Sequence, residues 1–148
     1  MEVKILEKTF VYERSPFYYE TDRMNVIHHS NYIRWFEEAR INFMEKAGYP
    51  YDKMESAGIM LPVLSADCNY KNSIHFGDTV LIHTAISKFN GFKMELQYKI
   101  INKITDELHA FGSTSHCFTD INLKPVRIKK THPEIYKLFD DISPEILY

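Results

Sequence analysis

Three side chains able to exchange protons or attack carbon lie close together early in the chain: Asp22, His28 and His29. They belong to the polar, irregular run ETDRMNVIHHSN, and a stretch with helical periodicity begins directly behind it at Asn31. A carboxylate ahead of a helix start meets unpaired backbone N–H groups and the positive end of the helix dipole, both of which favour negative charge. The same terminus can stabilise the oxyanion that develops when an acyl carbon is attacked. An Asp held there can serve as a base or a nucleophile toward an acyl group, and two imidazoles add groups that titrate near neutrality. The residue types alone leave a second reading open, in which Asp22 caps the loop and the histidines face water.

Other chemistries lack their residues. No GxGxxG, GxxxxGKS/T or GxSxG pattern occurs, which removes dinucleotide, P-loop and serine-hydrolase signatures. The two histidines are adjacent, and HxH, HxxxH and HExxH spacings are absent, so neither a metal site nor a cofactor is expected. His116 and Cys117 are neighbours in a predicted strand, where adjacent side chains face opposite ways, so they do not form a Cys-His pair. Cys68 and Cys117 read as small buried strand residues with reduced thiols.

Eighteen Lys plus Arg against twenty Asp plus Glu leave a net charge of −2, which argues against a nucleic-acid partner. The segment MEVKILEKTF has no signal-peptide core. The longest near-apolar stretch, Gly58 to Ala66, is far short of the roughly 20 residues a membrane helix needs. The expectation is a cytoplasmic protein without membrane insertion. Its 148 residues form one domain, 1–148, with a core that is rich in aromatics at 14% of the chain.

The elements that must position Asp22 follow from periodicity. Residues from about Lys8 to Tyr19 are rich in Tyr, Phe, Thr and Val and predict a first strand, with Pro16 marking an edge or bulge. Ser30 or Asn31 is the expected N-cap of the helix behind the loop, without a capping box. From Asn31 to Lys46, Tyr32, Trp35, Phe36, Ala39, Phe43 and Ala47 form one broad apolar stripe, and Gly48 and Pro50 stop the helix. Glu37 and Glu38 read as solvated helix charges, and Arg40 as the partner of a carboxylate. A short turn is expected at Asp52 to Ala57.

The period then changes to two. Ile59 to Tyr70, Thr79 to Lys88 and Leu108 to Asp120 predict strands. Asn90-Gly91 is a hairpin signal, and beyond it Phe92, Met94, Leu96, Tyr98 and Ile100 alternate with Lys93, Glu95, Gln97 and Lys99. The tail from Lys124 is basic, with a helix near Glu134 to Phe139. One aromatic helix among strands has a single place to bury its stripe, the face of an antiparallel sheet. The fold class is α+β, a curled sheet around one central helix.

The stretch YYETDRMNVIHHSNYIRWFEEAR resembles the hotdog-fold acyl-CoA thioesterases of the 4-hydroxybenzoyl-CoA thioesterase type. In that family an Asp ends the first strand and Asn-Tyr opens the central helix, with an aromatic and Ala-Arg further along. The matching positions are Asp22, Asn31-Tyr32, Phe36 and Ala39-Arg40, with Asn31 nine residues after Asp22. The segments ADCNYKNSIHFGDTVLI and TDINLKPVRI resemble the family's later strands and Lys-Pro exit, so the likeness runs from about Phe10 to Ile128. It implies a five-stranded antiparallel sheet wrapped around the helix, and hydrolysis of an acyl-CoA or acyl-carrier-protein thioester without a cofactor.

Asp22 then matches the catalytic carboxylate, and the backbone N–H of His29 the donor to the thioester carbonyl. Asn25, Asn31 and Tyr32 are expected against substrate. Asn25 stands where the family has Gly; Asn is the next-best residue at positive φ, so the turn survives. Lys124, Arg127, Lys129 and Lys130 read either as a clamp for the phosphates of coenzyme A or as a solvated basic segment. The resemblance also implies a homodimer with sites at its interface, and a further pairing into a homotetramer. Two rival functions share the fold: a non-catalytic acyl-thioester-binding protein, and a hydratase or dehydratase using His29.

Overall fold

The computed structural model describes residues 6–148. Strand β1 (Thr9–Arg14) leads through a one-turn 3-10 helix at Tyr18–Glu20 to helix α1 (Ser30–Ala47), then to the short helix α2 (Tyr51–Ser56). Strands β2 (Val63–Tyr70), β3 (Val80–Phe89), β4 (Lys93–Asn102) and β5 (Leu108–Cys117) follow, and helices α3 (Ile128–Thr131) and α4 (Pro133–Asp141) come last. The five strands form one antiparallel sheet in the order β1-β3-β4-β5-β2.

The apolar stripe of α1 lies against this sheet as its periodicity dictates. Trp35, Phe36, Ala39 and Phe43 are fully buried, and Phe36 stacks on Tyr98 of β4 with ring centroids 4.4 Å apart. Each large ring removed from water is worth about 1.5–3 kcal/mol, so the stripe anchors the helix and with it the loop at its start. Gly48 ends α1 at φ 96°, a conformation that needs no Cβ, and its amide closes onto Glu45.

The structure corrects several boundaries. β1 stops at Arg14 rather than near Tyr19, because Pro16 cannot extend the ladder and the Glu20 carboxylate takes the Phe17 amide into a turn instead. The N-cap of α1 is His29, one residue before Ser30 and two before Asn31, the expected caps, and it makes no side-chain capping bond. β2 begins after Pro62, and β5 ends at Cys117, beyond which Thr119 makes only isolated bridges to Met60 and Pro125.

Some side-chain expectations also change. Glu38 is no solvated charge: it accepts from Tyr12 Oη and from Arg14 Nε, each at 2.8 Å. Arg40 is buried, pairs with no carboxylate among the described residues, and donates instead to the hydroxyls of Tyr98 at 3.1 Å and Tyr51 at 3.4 Å. Gln97, on the side of β4 read as wet, is buried because residues 143–148 cross that face and Leu147 N donates to its side-chain oxygen. Cys68 and Cys117 are free but only half-buried.

Candidate active site

The loop between the 3-10 turn and α1 is built by backbone hydrogen bonds at every step. Asp22 N donates to Val26 O at 2.8 Å and Asn25 N donates to Asp22 O at 3.1 Å, closing a tight turn. Asn25 takes φ 64°, the left-handed conformation expected of it. Ile27 N then donates to Ile74 O, which pins the far side of the loop to the segment before β3.

Within this turn the Asp22 carboxylate is held by one oxygen only. Oδ1 accepts from Met24 N at 2.8 Å and Val26 N at 3.4 Å, whereas Oδ2 has no hydrogen-bond partner among the described residues. The loop-capping reading is therefore correct for one oxygen and leaves the other free. Asp22 lines a cavity of about 260 Å³ together with Val26, His29, Tyr32, Tyr70 and Asn72.

The start of α1 faces the same cavity. The amide of His29 donates to no acceptor among the described residues, while the Ser30 amide is taken up by His28 Nδ1 at 3.1 Å. His29 O accepts from Tyr70 Oη at 3.2 Å, which ties the helix start to the end of β2. The imidazoles of His28 and His29 are both exposed and stack 4.3 Å apart.

Of the other expected site residues, Tyr32 lines this cavity, whereas Asn25, Asn31, Lys124 and Arg127 do not. Tyr32 packs edge-on against Tyr70 at 4.9 Å, and burial pushes its phenol up to about 12. Burial likewise pushes the Cys68 thiol up to about 11, so it stays protonated and does not compete with Asp22 as a nucleophile. Asn31 is buried, and its amide donates to Glu20 O at 3.0 Å and His28 O at 3.2 Å, so it builds the loop rather than facing the cavity. Lys124 and Arg127 do not line the Asp22 cavity; Arg127 borders a separate hollow with Gly91, Lys129 and Lys130 at the β3–β4 hairpin. Among the described residues no group of His, Cys, Asp and Glu could hold a metal ion, and no helix is long and apolar enough to cross a membrane.

Sequence reasoning missed the cluster that holds this loop. Glu20, two residues before Asp22, is buried and joined to Arg14 and Trp35, and Arg14 is joined to Glu38. The signal was faint: an acidic residue inside a polar run, next to a loop already credited with one carboxylate.

Asp22, with one free carboxylate oxygen, and His29, with an unpaired helix-terminal amide, line one cavity, a pairing of groups that suits attack on an acyl carbon. The thioesterase-like superfamily profile matches residues 18–143. The chain belongs to the thioesterase-like superfamily. Among its relatives is YneP of Bacillus subtilis (strain 168), whose name assigns it an inferred acyl-CoA thioesterase activity; it is 34% identical over 124 residues, covering 83% of this chain and 89% of YneP. The DHNA-CoA thioesterase of Staphylococcus aureus is 33% identical with a TM-score of 0.85, covering 90% of each chain. The 4-hydroxybenzoyl-CoA thioesterase of Pseudomonas sp. strain CBS-3 is only 16% identical, yet has a TM-score of 0.77 over 88% of this chain and 99% of its own, which shows the shared hotdog fold.

Proposed function

We propose that this thioesterase-like hotdog protein hydrolyses an acyl-CoA or acyl-carrier-protein thioester, with Asp22 as the reacting carboxylate and the His29 amide as oxyanion donor. The observation that supports this most is that Asp22, whose Oδ2 is free, and His29, whose amide is unpaired, line one cavity at the start of α1. The amide and the helix dipole polarise the thioester carbonyl. Asp22 then either takes a proton from an attacking water or attacks the acyl carbon itself, forming a mixed anhydride that water cleaves. In both routes the C–S bond breaks and the thiol leaves.

The unpaired edge of β2 supports a homodimer as the working form. Nearly all of this eight-residue edge strand is exposed, including Val63, Leu64 and Tyr70, and its outer side has no ladder partner among the described residues. Such an edge invites pairing with a second copy. β2 runs from Val63, opposite His116, to Tyr70 at the Asp22 cavity. Antiparallel pairing of two β2 edges brings the opposite end of the partner toward that cavity. The partner subunit's Lys124 and Arg127 then become candidates for the phosphates of coenzyme A, although they lie away from Asp22 within one chain. A tetramer is a further pairing of such dimers. Two free cysteines fit a cytoplasmic location.

Thiol release from a panel of short, long and aromatic acyl-CoA substrates tests the activity; no release from any of them favours the acyl-thioester-binding alternative. In a single turnover in ¹⁸O-water, label in the Asp22 carboxylate establishes the nucleophilic route with water attacking the aspartyl carbon of the anhydride, while label only in the product acid means that water attacked the acyl carbon. Light scattering at micromolar concentration should give at least twice 17.5 kDa; a fully active monomer contradicts the interface site.

A further inference from the structure

A heavily bonded side chain two residues before Asp22 does not line the cavity. Glu20 is 5% exposed, and both of its oxygens are fully engaged. Oε1 accepts from Phe17 N at 2.7 Å and Arg14 Nη1 at 2.8 Å. Oε2 accepts from Trp35 Nε1 at 2.8 Å and Arg14 Nη2 at 2.9 Å. Burial opposes its ionisation, but the Phe17 amide, Arg14 and Trp35 outweigh that and hold the carboxyl below the usual range.

The backbone of the same residue reaches the other side of the site. Glu20 O accepts from His28 N at 2.9 Å and from Asn31 Nδ2 at 3.0 Å. One residue thus joins β1 through Arg14, the aromatic stripe of α1 through Trp35, and the start of α1 through His28 N and the Asn31 side chain. Arg14 is braced in turn, by Glu38 at 2.8 Å and by the rings of Phe17 and Trp35, 4.4 and 5.0 Å from its guanidinium carbon.

A buried ion pair adds little net stability over well-packed apolar residues, because desolvation offsets most of the attraction. What this one supplies is geometry. We propose that Glu20 is a positioning residue for thioester hydrolysis: its carboxylate fixes the turn that leads to Asp22, and its carbonyl, bonded to His28 N and to the Asn31 amide that also holds His28 O, fixes the segment that presents the His29 amide. The attacking group and the oxyanion donor thereby keep one separation. This rests on the reading of Asp22 as the reacting carboxylate, and it adds a residue that never touches substrate.

A double-mutant cycle tests it on the full-length chain, using thiol release and a thermal melt for each variant. Glu20→Gln preserves shape but places an amide against Arg14 and Trp35. A displacement of about 1 Å is enough to cost up to about 10²-fold, so kcat should fall about 10–100-fold while KM stays within about twofold. In the Asp22→Asn background the same change should cost no more than about twofold, because the geometry it protects has already lost its reacting group. Losses that multiply across the two sites, or a loss confined to KM, overturn the proposal. Should Glu20→Gln not fold, Arg14→Lys, which keeps the charge but removes the paired donors, is read by the same criteria. An active Asp22→Asn enzyme overturns the Asp22 reading and this inference with it; an inactive Asp22→Asn beside a fully active Glu20→Gln overturns this inference alone.

Discussion

The side-chain amide of Asn31 donates to the carbonyl of Glu20 at 3.0 Å, joining the first turn of α1 to the residue two positions before Asp22. Asn31→Ala leaves that carbonyl and that of His28 without this donor. The expected cost is about 1–3 kcal/mol of stability, with a fall in kcat larger than any rise in KM. Urea unfolding and steady-state kinetics check it. A large rise in KM at unchanged kcat would instead place Asn31 against substrate.

His29 separates a backbone role from a side-chain role. Its φ of −55° is already in the range proline imposes, and its amide has no acceptor among the described residues. His29→Ala keeps the amide and should cost about tenfold or less. His29→Pro removes the amide and should cost about 10²–10³-fold in kcat, the worth of one oxyanion donor. Equal losses in the two variants would make the imidazole the functional group and favour hydratase-like chemistry.

His116 predicts a pH dependence of stability. It is fully buried, accepts or donates with Thr114 Oγ1 at 2.8 Å, and its pKa is pushed down to about 4, by burial first and by Arg40 second. An unfolded histidine titrates near 6.5, so between these values the unfolded state binds more protons and stability falls as pH drops. The full shift corresponds to about 3 kcal/mol. Unfolding free energies at pH 7 and pH 4.5 should differ less in His116→Gln than in the wild type; equal differences would contradict the buried, neutral imidazole.

Close packing at Gly112 predicts a strong local effect. A Cβ built there would collide with the Asp67 carbonyl of β2 and the Phe36 ring of α1. Gly112→Ala should therefore destabilise by at least about 1–3 kcal/mol and loosen β2, the proposed dimer edge. A thermal melt combined with light scattering reads both effects. An unchanged melting temperature and mass would contradict the packing.

Where local pattern and tertiary fold agree, the sequence was readable. The stripe from Tyr32 to Phe43 and the alternation of Met94 to Ile100 follow from a period, and a curled antiparallel sheet around one helix follows from them, whereas the hotdog assignment and the weight of the Asp22-to-Asn31 interval rest on the family resemblance. The rest depends on partners far apart in the chain. Glu20 meets Arg14 and Trp35 from two other elements, Glu38 lies 24 residues from Arg14, and Arg40 finds Tyr98 at a separation of 58. Gln97 looked wet because nothing local announces that residues 143–148 return across its face. Lys124 and Arg127 carried a compositional signal, and composition does not say from which subunit a cation approaches a site.

Asp22→Asn is the most direct test of the catalytic assignment, since it is nearly isosteric and replaces the unpaired Oδ2 with a group that neither attacks nor accepts a proton. With folding verified by a thermal melt and a cleaved acyl-CoA as substrate, kcat should fall about 10²–10⁴-fold. A folded variant that keeps more than roughly a third of wild-type turnover would contradict Asp22 as the reacting carboxylate.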